Sequence, residues 1–458
     1  MDFATLAPVR FGFGLSPRAA SPLTVPEMLA ALRSDGAGAQ FPGMQTDVAL
    51  KMRVDFVRLK RAERDDEPGA AAALKAHKAA LHDALVDSLQ LALARAVDDP
   101  AGMRERLFAF WRDHFTIQGK RREDYALAAS HAEALRPHLT GSFPALLRAA
   151  VLHPMMLIYL DQTSSFGPGS RAARKKPERG LGLNENLARE VIELHTLGVG
   201  GAYTQDDVRQ LAELFTGLRV LGEAGTQFSP DLAEPGAEQV LGRSFGGDPA
   251  RLDDIHAVLD ALALHPDTAR HLARKLAVHF VGPDPAPDLT AAMAEAYLGA
   301  NGALMPVYQV LLEHPGARGD DLLKVRQPFE FIATSLRALG LSGAEVMGLS
   351  GAILRKQGYW PLRSMGQQWL APRGPDGWPE AAEDWIAPQT LSARINWALK
   401  APAAIAKDLS RPLPDARDFL PQALGPRVTE ALSFAVPRAE SRAEGIALVL
   451  ASPEFNRR

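Results

Sequence analysis

Between Asn184 and Gly198 the chain reads Asn-Glu-Asn-Leu-Ala-Arg-Glu-Val-Ile-Glu-Leu-His-Thr-Leu-Gly, its densest run of side chains able to do chemistry. At about 3.6 residues per turn, Glu185, Asn186, Arg189, Glu190, Glu193 and Thr196 share one arc. Leu187, Ala188, Val191, Ile192, Leu194 and His195 fill the opposite arc. This predicts an amphipathic helix lying on a core and stopped by a left-handed turn at Gly198. The polar arc has two readings. In one, Glu185, Arg189 and Glu193 stand four apart as a solvated charge ladder, worth about 0.2–0.5 kcal/mol per pair. In the other, the arc faces a hollow and binds or hydrolyses a small polar ligand. Glu190 or Glu193 is then the general base, Arg189 answers developing negative charge, and Asn184 and Asn186 orient the ligand.

Two histidines bear on this site. His195 sits in the middle of the apolar arc, and His114 repeats that situation on the stripe Met103, Leu107, Phe110, His114, Ile117, which Trp111 and Phe115 flank. If the two meet across a core pocket, burial lowers their pKa and keeps them neutral, fit to shuttle a proton or bind a metal. The alternative is that each donates to a backbone carbonyl and fills space. Three further histidines, in His153-Pro154, His265-Pro266 and His314-Pro315, follow apolar helical runs, as does Ser452-Pro453. Proline suits a first helical turn and pushes the residue before it into a cap position, so a recurrent helix, corner, helix element is expected.

Composition bounds the chemistry. The 458 residues carry 51 lysines and arginines against 54 acidic residues, so no net field draws the chain to nucleic acid or an anionic membrane. With no cysteine, disulfides, thiolate catalysis and cysteine-ligated metal are excluded. No cofactor is indicated and no metal-ligand set is assigned. No stretch reaches the roughly 18 apolar residues of a membrane span, and Met1 to Pro22 lacks an export-signal pattern, so the chain as written reads as cytoplasmic.

The positioning elements read as helices almost throughout. Helices are expected at 25–33, 47–64 and 70–97, the last two broken apart at Asp65 to Gly69, and another starts after Pro100. The long loop from Asp161 to Leu183 holds Gly167, Pro168, Gly169 and Ser170, then Arg171, Arg174, Lys175, Lys176 and Arg179, and enters the central helix through Gly180 and Gly182. Its amides and cations could hold an anion. Thr204 and Asp207 form a capping box for a helix to Phe215, stopped by Gly217. Residues 218–247 lose helical periodicity, and Val220-Leu221, Gln227-Phe228 and Gln239-Val240-Leu241 suggest a small hairpin. Helices resume at 252–264, 267–281, 289–298, 305–313, 328–339, 389–399, 426–434 and 438–450. Five of the six tryptophans, 360, 369, 378, 385 and 397, fall in one Pro/Gly-rich stretch. They either line a groove for a sugar, peptide or aromatic ligand, or pin an irregular segment to the helical body.

With these residues in view the chain resembles a widespread bacterial family described only as domain of unknown function 1800. The resemblance rests on Phe110-Trp111-Arg112-Asp113-His114-Phe115, His153-Pro154-Met155-Met156-Leu157, Tyr159-Leu160-Asp161, the run through Thr196-Leu197-Gly198, Tyr203-Thr204, Ala273-Arg274-Lys275-Leu276, Gly377-Trp378-Pro379 and Ser452-Pro453-Glu454-Phe455. It implies a largely helical protein. It also implies a periplasmic setting, as for many relatives, and a partner similar to alkaline phosphatase-like hydrolases encoded nearby. The chain departs from the family at Ala233-Glu234-Pro235-Gly236, where relatives show His-Asp before a glycine.

The expectation is an all-α, multi-helical bundle with a minor β-hairpin insertion and a Trp/Pro/Gly-rich irregular C-terminal segment. It is one family-length unit with subregions 1–98, 99–340 and 341–458. The expected pocket is lined by Asn184, Asn186, Arg189, Glu190 and Glu193, with His114, Asp161, Trp111 and Trp378 around the ligand. The competing expectation is a non-catalytic scaffold that presents the tryptophan-rich segment to a partner.

Overall fold

A computed structural model describes residues 1–20, 24–175 and 182–458. The helices that matter here are, in chain order, α1 (Val25–Arg33), α2 (Thr46–Arg64), α3 (Ala70–Asp98), α4 (Met103–His114), α5 (Tyr125–Leu135), α6 (Phe143–Val151) and α7 (Pro154–Tyr159). Next come α8 (Asn186–Glu190, continued by a π-turn Val191–His195), α9 (Gln205–Phe215), α10 (Leu252–Ala263), α11 (Pro266–Phe280), α12 (Pro287–Gly299) and α13 (Leu304–Glu313). The last five are α14 (Pro328–Ala338), α15 (Trp360–Ser364), α16 (Pro388–Asp408), α17 (Ala416–Leu424) and α18 (Arg442–Ala451). The molecule is all-α with a minor antiparallel β insertion.

Local sequence accounts for the helix boundaries. Thr24 with Glu27 and Thr204 with Asp207 form reciprocal capping boxes at the starts of α1 and α9. Gly69, in the left-handed region, separates α3 from the turn after α2. The β insertion holds two ribbons where the sequence suggested one. β1 (Leu218–Val220) pairs with β2 (Thr226–Phe228), and β3 (Gly236–Val240) pairs with β4 (Arg243–Gly247). Leu241, expected in a strand, is the first residue of a two-residue turn with Gly242, both at positive φ.

The three His-Pro corners are one device used three times. His153, His265 and His314 each have extended backbone, and each Nδ1 accepts from the N–H two residues on at 3.1 Å. Ser452 caps Phe455 in the same way through its hydroxyl. Because Nδ1 of His153 is the acceptor, Nε2 carries the proton and donates to Thr46 Oγ1 at 3.1 Å. His153→Ala should therefore cost about 1 kcal/mol, within the range for a lost N-cap. His153→Asn should recover most of it, as chemical denaturation of the three proteins would reveal.

Apolar burial forms two cores. The first gathers α1, α2, α4 to α13 and the early part of α3; the second gathers the rest of α3 with α14 to α18. Helix α3 thus runs through both. The second core takes in Phe13 and Phe41 as well as Phe329 and later residues, so it is not one continuous segment of the chain. Among the described residues no helix is long and apolar enough to cross a membrane.

Candidate functional site

Helix α8 begins as the sequence predicts and then changes pitch. Asn184 braces its start: Oδ1 accepts from Asn186 N at 2.9 Å, and Nδ2 reaches the carbonyls of Leu160 and Asp161. Over Val191–His195 the turn widens to π geometry, and Thr196 Oγ1 donates to Val191 O at 2.6 Å. The extra residue in the turn rotates everything after it. Thr196, expected on the polar arc, is fully buried instead.

Much of the remaining arc is a charge ladder. Arg189 bonds Glu185 at 3.0 Å, Glu193 at 3.1 Å and the Gln205 amide oxygen at 3.0 Å, on a half-exposed face. Its guanidinium is already engaged, which counts against the expected role of answering charge on a ligand. Glu193 is committed to the same ladder. Asn186 is exposed, Asp161 is an exposed left-handed corner residue, and Asn184 is a structural brace. Glu190 differs: half-buried, it has no hydrogen bond or ion pair among the described residues. Burial, with Glu193 and Asp376 beside it, pushes its carboxyl up to about 7.

The hollow lies at the other end of α8. A cavity of about 270 Å³ is walled by Phe110, Asp113 and His114 of α4, by His271, Arg274, Lys275 and Val278 of α11, and by Asp376, Trp378 and Glu380 of an irregular strap before α16. Helical spacing explains the convergence, since 110, 113 and 114 share one face of α4 and 271, 275 and 278 share one face of α11. Two histidines tie this cavity to α8. His114 Nε2 donates to His195 O and His271 Nε2 to Leu194 O, both at 3.1 Å, satisfying carbonyls that a helix end leaves open. Gly198, at φ +86°, makes room, because a Cβ there would lie 2.6 Å from His271 Nδ1. The rings of His114 and His195 do meet, 6.0 Å apart, and burial holds both below the usual histidine range. His114 Nδ1 is buried without a hydrogen-bond partner among the described residues.

Asp113 is the pivot. Both of its carboxylate oxygens accept from Trp378 N, at 3.0 and 3.1 Å. That approach requires Gly377, at φ +89°, where a Cβ would lie 2.8 Å from Asp113 Oδ2. Burial pushes the Asp113 carboxyl up to about 7, and Lys275 pulls in the opposite sense. Behind it a second space of about 30 Å³ is lined by Arg112, His131, Trp369 and Trp378 among others. Arg112 lies 4.3 Å over the Trp369 ring and has no hydrogen bond among the described residues. Lys275, half-buried, likewise has no hydrogen bond or ion pair among them. Burial lowers its pKa, while Asp113, Glu380 and Asp376 oppose that.

Glu380 is held from outside the cavity. It accepts from His279 Nδ1 and Lys324 Nζ, each at 2.6 Å, and these partners keep its carboxyl ionised against the cost of burial. His279 Nε2 in turn faces Arg106 Nη2 at 3.2 Å. Among the described residues, no group of three or more histidines and carboxylates is arranged to hold a metal ion.

The sequence-predicted residues divide accordingly. His114 and Trp378 line the cavity; Glu190 couples to it through Asp376. Trp111 does not line the cavity; it is wholly buried in the first core with Nε1 donating to Tyr308 at 2.8 Å. The glycine loop also offers less to an anion than expected. Gly169 N donates to Glu234 Oε2 at 2.7 Å, and Arg171 pairs with Asp231. Lys176, Arg179 and Gly180 lie outside the described residues. Asp113, Lys275, His271 and Glu380 were missed, although the spacing of His271, Lys275 and His279 by four residues was a readable signal.

Three segments that carry the family resemblance, at 110–115, 273–276 and 377–379, come together around this one cavity. No curated protein and no solved structure matches the chain. Residues 7–457 match the family described as Protein of unknown function (DUF1800), and the chain belongs to that family.

Proposed function

We propose that the cavity between α4, α11 and the strap binds a small polar ligand bearing an anionic oxygen group, with Lys275 as its charge partner and Asp113 as its proton donor. The observation that carries this reading is Lys275, an ammonium removed from most solvent with no ion-pair or hydrogen-bond partner among the described residues. Asp113, Asp376 and Glu380 favour the ammonium through space without pairing with it, and a bound oxyanion would supply the direct partner that it lacks among the described residues. Asp113, beside it and protonated up to about pH 7, can donate to a leaving oxygen at neutral pH. His114, held neutral by burial, adds an uncharged wall beside them. Hydrolysis or group transfer on a small oxygen-rich substrate is the chemistry this set suits.

The test is a thermal-shift screen of small carboxylates and phosphates against the parent chain and Lys275→Gln. A ligand at about 100 times its Kd should stabilise the parent by about 2.7 kcal/mol, and the glutamine variant should not respond. Equal responses from the two proteins would remove Lys275 from the site.

A scaffold role keeps one specific support, the Arg189 ladder, which makes part of α8 a girder. The alkaline phosphatase-like partner implied by the family resemblance belongs to this reading. Co-purification of the two proteins, lost on altering an exposed face and kept in Lys275→Gln, would favour it over the pocket.

A further inference from the structure

We infer that a groove between residues 356–364 and helix α16, which shares no lining residue with the cavity, is a carbohydrate site that takes an acidic oligosaccharide. The groove holds about 660 Å³, within the roughly 300–1,000 Å³ of small-ligand clefts. Its two tryptophans have different duties. Trp397 is the floor, 4% exposed, with Nε1 spent on Gln357 O at 2.6 Å. Trp360 is 48% exposed, and its Nε1 has no hydrogen bond among the described residues. The Trp360 ring stands edge-on to buried Tyr359 with centroids 5.1 Å apart, so it is held as a platform.

An exposed indole face suits the C–H face of a pyranose ring, leaving the sugar hydroxyls to polar neighbours at the rim. Those neighbours are present. Asn396 donates Nδ2 to Ser392 O, and among the described residues neither its carbonyl oxygen nor the exposed Gln389 amide has a hydrogen bond. Charge then selects within the sugars. Lys356 and Lys400 line the groove without ion pairs among the described residues, and no carboxylate lines it. Two cations in one groove that no carboxylate lines complement an anionic ligand. A single-stranded nucleic acid is the weaker fit, since it asks for successive aromatic platforms along a basic track. Here one ring is exposed.

The experiment is affinity electrophoresis and calorimetry of the full chain with oligogalacturonate, alginate oligomers and heparin oligosaccharides, the methyl-esterified oligogalacturonate, and oligothymidylate. At least one acidic sugar should bind, Trp360→Ala should weaken it at least tenfold, and Asn396→Ala should weaken it independently. The Lys356→Gln/Lys400→Gln double variant should remove the preference for acid over ester. Asp113→Asn should bind as the parent does, which separates this groove from the cavity reading. The inference is overturned if no saccharide in the panel binds, if Trp360→Ala with an unchanged circular dichroism spectrum binds as tightly as the parent, or if only oligothymidylate binds.

Discussion

At pH 8 the Asp113→Asn protein should be more stable than its parent and should fail to bind the anion proposed for the cavity; at pH 4 the two should be about equally stable. The folded chain holds the Asp113 carboxyl up to about 7, against an ordinary value of 3.8, chiefly by burial. Between those values the folded state keeps a proton that the unfolded state has released. Stability therefore falls as pH rises from about 4 to about 7 and levels off above that. Asparagine cannot ionise and escapes this loss. Its side-chain oxygen can still accept from Trp378 N, so the strap keeps its anchor. We expect a gain of about 1–3 kcal/mol at pH 8, held below the full linkage value because the carboxyl borders a cavity open to water. Chemical denaturation of both proteins at pH 4 and 8 measures it, and parallel pH dependence would mean that Asp113 ionises freely in the fold. A substitution that stabilises while abolishing binding is the mark of a residue kept for its chemistry.

How far the sequence shows this depends on distance along the chain. Capping residues are local, so α9 begins where Thr204 predicts, and the His-Pro corners fall where proline requires. Proline misleads where tertiary burial outweighs it. The helix expected at 389–399 runs on to Asp408 through Pro402, because Ile405 beyond it is buried in the second core. Helix α17, unpredicted amid four prolines of the 412–426 stretch, likewise contains Pro421 and buries Phe419 and Leu420. The tryptophan-rich segment divides by residue. Trp369, Trp385 and Trp397 pin it with satisfied N–H groups, whereas Trp360 and Trp378 face open space. In the site, the charge ladder was readable from four-residue spacing. The π-turn was not, since it arises from Thr196 competing for a backbone carbonyl. Nor was the cavity, whose walls at Asp113, Lys275 and Trp378 meet only after folding.

Removing the Glu330 charge should be the most damaging single change behind this site. Glu330 lies between Arg458, which it meets at 2.8 and 3.0 Å, and Arg106, at 3.1 Å, all three essentially without solvent. Arg458 Nη1 continues to His279 O at 2.8 Å, and His279 reaches Glu380 in the cavity wall. Glutamine at 330 keeps the shape but leaves two buried guanidinium groups with no counter-charge in the triad. Breaking a buried ion pair in this way costs about 3–5 kcal/mol. The pH response follows from the same pair. Despite burial, the two arginines hold the Glu330 carboxyl down to about 2, from an ordinary value of 4.5. Its contribution is complete above about pH 4.5 and fades as pH falls toward 2. Glu330→Gln should therefore flatten the acid limb of the stability profile while lowering the neutral plateau. A double cycle with Arg458→Met decides what the triad is for. If the pair Glu330→Gln/Arg458→Met recovers stability but not ligand response, the buried charges exist to fix His279 and Glu380 beside the cavity, and hydrophobic packing alone could have held the helices together.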